Sequence, residues 1–400
     1  MKWYFFGEDS GKPRINEHLM IYILSLLDPT SQFKASQVNH KWNELVKLTK
    51  KYIDLLPTIH RIPFLSKVGL DVLRLKLMSG GMTNTVYRVQ VGPNIAKSLI
   101  KYPNVSQELI DRSMPQRWVL RIPGEVSLFS VSRKHELENA RKASILELNV
   151  PIKHFEPDGL QLTKFIENAQ VLDEKALQRV DVLQTLALMA KKLHTSERFD
   201  NDTAVFERNE RLVEHLKIKN FAFPKEMDFV MKQMLYLQSL FSSYQIEMRP
   251  CHNDSTPLNY LMSFIGLKKE EVFHQIDWEY SSNNDFMWDL VYFAIEAKLS
   301  KEQELIYLTA YFGKENLTDS ILAWFNAYKP VVEWWITLWS WTQLANEAKS
   351  VGKNEYENLG KERFAKTLEH LQSDEYQNAL AVIEAERLES SFTGHRPFKI

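Results

Sequence analysis

Cysteine is almost missing from this chain, which has one, Cys251, in 400 residues. A lone thiol can make neither an intrachain disulfide nor a cysteine-based zinc site, so the fold needs no oxidising compartment and a reducing cytosol is expected. An excess of charge of one sign is lacking too: 50 Lys and Arg against 51 Asp and Glu leave a net charge of -1. That removes the simplest electrostatic case for nucleic acid or an anionic membrane surface as partner. Long apolar runs are absent. The longest uncharged one, Trp334 to Ala345, falls well short of the roughly 20 residues of a bilayer span and contains Thr, Ser and Gln. Near the start, the aromatic run Trp3 to Phe6 gives way to Glu8 and Asp9, too short for the apolar region of a secretory signal. With 13 Gly and 15 Pro there is no low-complexity bias either. What remains is an ordinary globular composition, 44% hydrophobic and 25% charged, in a chain long enough for a two-lobed domain plus an appended module.

Hydrophobic periodicity divides the chain. Ile15, Leu19, Ile23 and Leu26 repeat at helical spacing, and after Asp28-Pro29 so do Val38, Trp42 and Leu45. Such short helices cannot bury enough surface to stand alone, so they must pack on the rest of the chain or on a partner. Pro57, Pro63 and Gly69 mark an aperiodic join. Beyond it, Leu73 to Leu77 and Val86 to Val91 flank a glycine turn as two strands, Trp118 to Ile122 and Leu160 to Ile166 read as strands, and His135 to Leu148 as a helix. From about Val180 the pattern is helical apart from one hairpin. The expected α+β architecture is a helical module over 1–55, a linker over 56–69, a β-rich lobe over 70–165, an α-rich lobe over 166–372, and a helix and loose tail over 373–400.

The most specific string is Cys251-His252-Asn253-Asp254-Ser255-Thr256-Pro257-Leu258-Asn259, followed by Gln275-Ile276-Asp277-Trp278-Glu279-Tyr280. Phosphoryl transfer from a nucleotide needs a carboxylate beside the acceptor hydroxyl and separate oxygen ligands for Mg2+. Asp254 can be the first and Asn259 with Asp277 the second, because strands Tyr260 to Phe264 and Val272 to Ile276 can form a hairpin that returns Asp277 to Asn259. His, Asp and Asn are also frequent turn and cap residues, so the string alone leaves a purely structural role open. Upstream, Gly80-Gly81-Met82-Thr83-Asn84 lets backbone approach a phosphate, although a glycine pair in a hairpin is usually only a hairpin. Arg121 can hold nucleotide phosphates and Glu136 can pair with it. Five of the ten tryptophans lie between residues 324 and 341, with Trp335 and Trp339 placed to present two rings on one helical face; the others there read as core. Aromatic faces beside a carboxylate are what a quaternary ammonium requires, having no hydrogen to donate.

These strings, with Val119-Leu120-Arg121-Ile122-Pro123-Gly124, Arg133-Lys134-His135-Glu136, Leu193-His194-Thr195-Ser196 and Trp288-Asp289-Leu290, resemble the choline kinase family over about residues 70 to 370. The Arg-Ile-Pro-Gly and Asp-Trp-Glu-Tyr versions look most like the bacterial LicA-type members. The resemblance implies a bilobal fold shared with protein kinases and aminoglycoside phosphotransferases, ATP and Mg2+ as cofactors, and choline or a related amino alcohol as acceptor. It implies Asp254 as catalytic base, Asn259 and Asp277 as metal ligands, and Gly80, Gly81, Thr83, Asn84, Arg121 and Glu136 at the nucleotide. Tyr280, Glu296, Trp335 and Trp339 then form the choline box. Thr256 stands where the family commonly has Gln.

The segment from Ile15-Asn16-Glu17-His18-Leu19 through Asp28-Pro29 to Trp42-Asn43-Glu44-Leu45 resembles an F-box. That implies a Skp1-type adaptor and a cullin ubiquitin ligase as partners, with Leu19, Ile23, Leu27 and Pro29 as contacts. A helical cap packed on the kinase lobe is the alternative. A bacterial-type kinase joined to a eukaryotic-type ligase module points to a protein that a bacterium injects into a host cytosol. Two readings stay open beside the choline kinase: a ligase adaptor whose kinase-like lobe binds a target, and, less favoured for want of an acidic pocket, an aminoglycoside kinase.

Overall fold

A computed structural model describes residues 17–78, 84–92, 116–124, 131–266, 269–348, 353–389 and 392–400. The chain divides into two compact units, the first formed by Met1–Ser79, Thr85–Ile122 and Leu160–Phe165, the second by the remainder.

In the first unit, α1 (Glu17–Ser25), α2 (Pro29–Ser36) and α3 (His40–His60) follow one another through capped turns. Asp28 accepts from the backbone N–H groups of Thr30 and Ser31, with Pro29 filling the first helical position, and Asn39 accepts from Trp42 at 3.1 Å. Strands β1 (Leu73–Leu77), β2 (Asn84–Val91), β3 (Gln116–Pro123) and, after α4 (Arg133–Ile145) and β4 (Ile152–Phe155) of the second unit, β5 (Gln161–Lys164) complete it. Here the sheet order is β1-β2-β3-β5, with Leu73 opposite Val91 and Arg121 opposite Gln161. Alternation puts Leu73, Leu75, Tyr87, Val89, Leu120 and Leu162 on one face. They share a single core with Met20, Ile21 and Leu24 of α1, Ala35 of α2, and Leu45, Val46 and Tyr52 of α3. Each such side chain contributes about 1.5–3 kcal/mol when fully buried.

The helical module therefore does pack on the sheet, yet only with part of its apolar surface. Leu26, Phe33 and Val38 are 67%, 62% and 60% exposed, and Ile23 and Leu27 are also exposed. Among the expected partner contacts, Ile23, Leu27 and Pro29 lie at the surface and Leu19 is half-buried. The aperiodic join expected over 56–69 differs from what is found: α3 runs through Pro57 to His60, and Ile59, Ile62 and Leu65 are buried in the same core. A proline one turn from a helix end removes a single hydrogen bond, which this burial outweighs.

The second unit continues with β6 (Gln170–Val171), α5 (Glu174–Leu177), α6 (Val180–His194), α7 (Val205–Ile218), α8 (Met227–Ser242), β7 (Arg249–Cys251), β8 (Tyr260–Ile265), β9 (Glu270–Gln275), β10 (Ser282–Asn284), α9 (Phe286–Glu296), α10 (Lys301–Phe312), α11 (Asp319–Ala345), α12 (Lys353–Gln372) and α13 (Asp374–Leu388). The long helix α11 is its centre, packed by α7, α9, α12 and α13. Trp324, Trp334 and Trp341 are buried in this core, as their apolar setting predicts. Among the described residues no helix is long and apolar enough to cross a membrane.

The tail differs from the loose end expected over Ser390 to Ile400. Arg396 is buried, its Nη1 2.8 Å from an Asp285 carboxylate oxygen that also accepts from the Tyr328 hydroxyl at 2.7 Å. Its guanidinium lies 5.0 Å from the ring centres of both Phe286 and Trp324. Asp285 is the N-cap of α9, so the tail braces the start of the helix that carries the next set of site residues.

Candidate active site

The loop from His252 to Asn259 joins β7 to β8, and α9 holds it. Asp289, in the first turn of α9, accepts from the backbone N–H of His252 and of Asn253, both at 2.7 Å. Asn253 takes the left-handed conformation, φ 66°, that a sharp turn needs and that Asn tolerates. Its side-chain amide donates to the Tyr280 carbonyl at 3.0 Å and the Ser282 hydroxyl at 2.7 Å. Burial lowers the pKa of His252, so its neutral ring donates from Nε2 to the Ile276 carbonyl at 3.0 Å. His194 Nε2 lies 3.2 Å from Asp289, which fixes the carboxylate in turn.

This frame presents Asp254, which is half-buried at the edge of a cavity of about 170 Å³. Burial pushes its carboxyl up to about 7, with the charges of Glu296 and Glu279 adding, against the hydrogen bonds from Tyr292 and Asn259. The Asn259 amide donates to an Asp254 carboxylate oxygen and to its carbonyl, both at 2.9 Å. Strands β8 and β9 form the expected hairpin, Tyr260 facing Gln275, and Ile276 N–H donates to the Asn259 carbonyl at 2.8 Å. Asp277 follows directly, with φ 65°, and lines the same cavity.

The opposite wall is aromatic and acidic. Tyr280, Glu296, Trp335 and Trp339 all line it, so the i, i+4 tryptophan pair does share one face. Trp339 Nε1 donates to the Tyr280 hydroxyl at 3.0 Å, and the Tyr280 and Trp335 rings meet edge to face, 6.0 Å apart. Glu296 is not alone: Arg363 Nη2 of α12 lies 2.6 Å from it, while Nη1 reaches Glu333 at 3.3 Å. Burial raises the pKa of Glu296 in spite of Arg363, and pushes Glu333 up to about 7.

Of the residues expected at the nucleotide, Gly80, Gly81 and Thr83 lie outside the described residues. Arg121 is buried on β3 of the first unit. In the second unit, Glu136 and Glu279 are bridged by Arg133 Nη1 at 2.7 and 3.0 Å, and the Asn84 amide reaches Glu279 at 3.4 Å. Sequence reasoning missed Tyr292 and Arg363. Tyr292 was within reach, because Asp289, Tyr292 and Glu296 stand at i, i+3 and i+7 on one face of α9. No local signal could have paired Arg363 with Glu296.

Residues 75–368 match the family model for choline/ethanolamine kinase, and residues 13–54 match the F-box domain. The chain is 31% identical over 202 residues to Protein LicA of Haemophilus influenzae, covering 50% of this chain and 73% of that relative. Its fold is similar to that of a choline/ethanolamine kinase family protein from Mesorhizobium loti, with a TM-score of 0.65, 24% identity, and coverage of 84% of this chain and 99% of the other. The choline kinase LicA of Streptococcus pneumoniae is similar at a TM-score of 0.56 and 20% identity, over 77% and 96% of the two chains. The chain belongs to the choline/ethanolamine kinase family of phosphotransferases that act on an alcohol, with an F-box domain ahead of the kinase region.

Proposed function

We propose that the protein transfers the γ-phosphoryl group of ATP to the hydroxyl of choline, or of a closely related amino alcohol, giving phosphocholine and ADP. The observation that supports this best is the single cavity in which Asp254 faces Tyr280, Trp335, Trp339 and Glu296. Aromatic faces hold the ammonium, and Asp254 takes the hydroxyl proton as the oxygen attacks phosphorus and ADP leaves. Asn259 and Asp277 offer hard oxygen donors side by side, a set that fits Mg2+. Bound there, the ion would neutralise phosphate charge. Arg121, Glu136 and Asn84, with Gly80, Gly81 and Thr83, are assigned to the nucleotide. The test is ADP release by the purified chain with Mg-ATP against choline, ethanolamine, an aminoglycoside and no acceptor. Release that depends on choline or ethanolamine is expected; release that ignores both but follows the aminoglycoside, or that needs no acceptor, would overturn the assignment.

The charges around Glu296 set a pH dependence. With Glu296 ionised beside Arg363, two carboxylates and one guanidinium sum to −1 when Glu333 is ionised and to zero when it is protonated, and the Glu333 step falls at about 7. The extra negative charge compensates a bound ammonium, so choline affinity is expected to rise severalfold between pH 6 and pH 8. Glu333→Gln should lose the share of this rise that Glu333 carries and keep only the share due to Asp254, whose carboxyl titrates at about 7 in the same cavity. Calorimetric Kd values for choline without nucleotide read this directly, and a flat wild-type profile would dismiss the charge triad.

A second role rests on a separate observation, the exposed Ile23, Leu26, Leu27, Phe33 and Val38 on α1, α2 and the turn after each. We assign this surface to a Skp1-type adaptor, through which the chain joins a cullin ubiquitin ligase. A bacterial-type kinase carrying that module suits a protein delivered into a host cytosol.

A further inference from the structure

Behind the aromatic wall of the acceptor cavity, a second cavity of about 350 Å³ opens within the same unit, lined by the start of α4, the start of α7 and the segment after Asp277. Arg208 of α7 lines it and is only 8% exposed. Its guanidinium stacks on the Trp335 ring, 3.5 Å from the centre, and lies 5.1 Å from that of Trp288. Among the described residues, Nε and Nη2 of Arg208 donate to no acceptor. Burial lowers its pKa to about 9, with nearby Arg211 lowering it further and only the Tyr280 and Tyr292 hydroxyls opposing. A buried cation is ordinarily matched by an anion.

The acids that line this cavity are committed elsewhere. Asp202 accepts from Arg198 at 2.8 Å and from the Asn283 amide at 2.7 Å, and Glu279 pairs with Arg133. Around Arg208 the lining adds the exposed Arg211, the ring of His135 and the hydroxyl of Ser132. Helix α7 begins beside Ala204, a lining residue that supplies no side-chain cap, which puts the positive end of the helix dipole at the rim. We propose that this cavity is a binding site for a small oxyanion, a phosphate or a carboxylate, held by Arg208 and Arg211.

The site has a consequence for the acceptor, and this consequence rests on the choline reading above. Trp335 lines the acceptor cavity and carries on its ring the guanidinium of Arg208, which lines the second, while Glu279 and Tyr280 line both. A guanidinium on one face of the indole opposes an ammonium approaching the other, and an oxyanion on Arg208 cancels that opposition. Occupancy of the second cavity therefore tightens acceptor binding.

The test is calorimetric titration of the full chain, free of nucleotide, with inorganic phosphate and in parallel with acetate. Saturable binding is expected, weakened at least about tenfold, or about 1.4 kcal/mol, in both R208M and R211E. R208M removes the charge and keeps an unbranched apolar side chain, and R211E changes an exposed residue, so it tests the site even where R208M does not fold. Binding of phosphate alone identifies phosphate compounds as the class; binding of both identifies oxyanions in general. Phosphate that binds equally well to both variants sits elsewhere, at the nucleotide site for instance, and overturns the proposal, as does its failure to bind. Choline Kd measured with and without saturating phosphate then reads the coupling. If the variants weaken phosphate but choline affinity never moves, the site stands and its link to the acceptor falls.

Discussion

Asp254→Asn is expected to lower kcat by about three orders of magnitude while choline affinity changes little. The replacement keeps the shape of the side chain and its place beside Asn259 and Tyr292. It removes the one property the step requires, an oxygen that can take a proton from the acceptor hydroxyl. Turnover close to that of the unaltered protein would take Asp254 out of the chemistry. The same variant carries an independent signature in stability. Its carboxyl has been pushed from 3.8 up to about 7 by burial, so the native state keeps this proton where the unfolded chain has lost it. The group's contribution is therefore fully present below the unfolded pKa and is lost as pH rises through 7. In EDTA, with metal removed, the unaltered protein should lose melting temperature between pH 5 and pH 8 relative to Asp254→Asn, which has no charge to bury. Parallel melting curves for the two proteins would show that Asp254 is not desolvated as described.

How much of this site could be read beforehand follows from how local each part is. The hairpin that returns Asp277 to Asn259 is a short-range structure written in two alternating runs, and the backbone bond from Ile276 to Asn259 is its direct product. The tryptophan pair follows from helical spacing within α11. Arg363 and Arg208 were out of reach for the opposite reason. Arg363 is 67 positions from Glu296 and Arg208 comes from a third helix, so only packing decides what their guanidinium groups meet. The tail shows the same limit. A terminal stretch with no apolar period reads as a loose end, yet Arg396 enters a slot between Phe398 and the sequence-distant Phe286 and Trp324, which only packing brings together. Pro57 misled in the other direction, since a breaker in the sequence lies inside a helix whose far end is buried.

Changing Leu26 and Phe33 together to Asp is expected to weaken capture of a purified Skp1-type adaptor by at least about a hundredfold, the larger effect on the partner side of the molecule. The sequence left two readings of the front helices, a partner-binding module and a cap on the kinase lobe, and they use different surfaces. Met20, Ile21, Leu24, Ala35 and Leu45 meet the sheet, so the cap reading describes one side of the module. Leu26, Phe33 and Val38 remain more than half exposed, and several large apolar side chains left in water within one short helical segment mark a surface that a partner covers. Aspartate there places charge in an interface centre while touching nothing in the core, so the folded state should persist. ADP release and melting temperature, measured on the same preparation, check that it has. Adaptor binding that survives the double change would mean that these side chains are not the docking surface, and would leave the helices with their structural task alone. Binding lost together with folding would show that the two surfaces are not separable; the burial pattern predicts that they are.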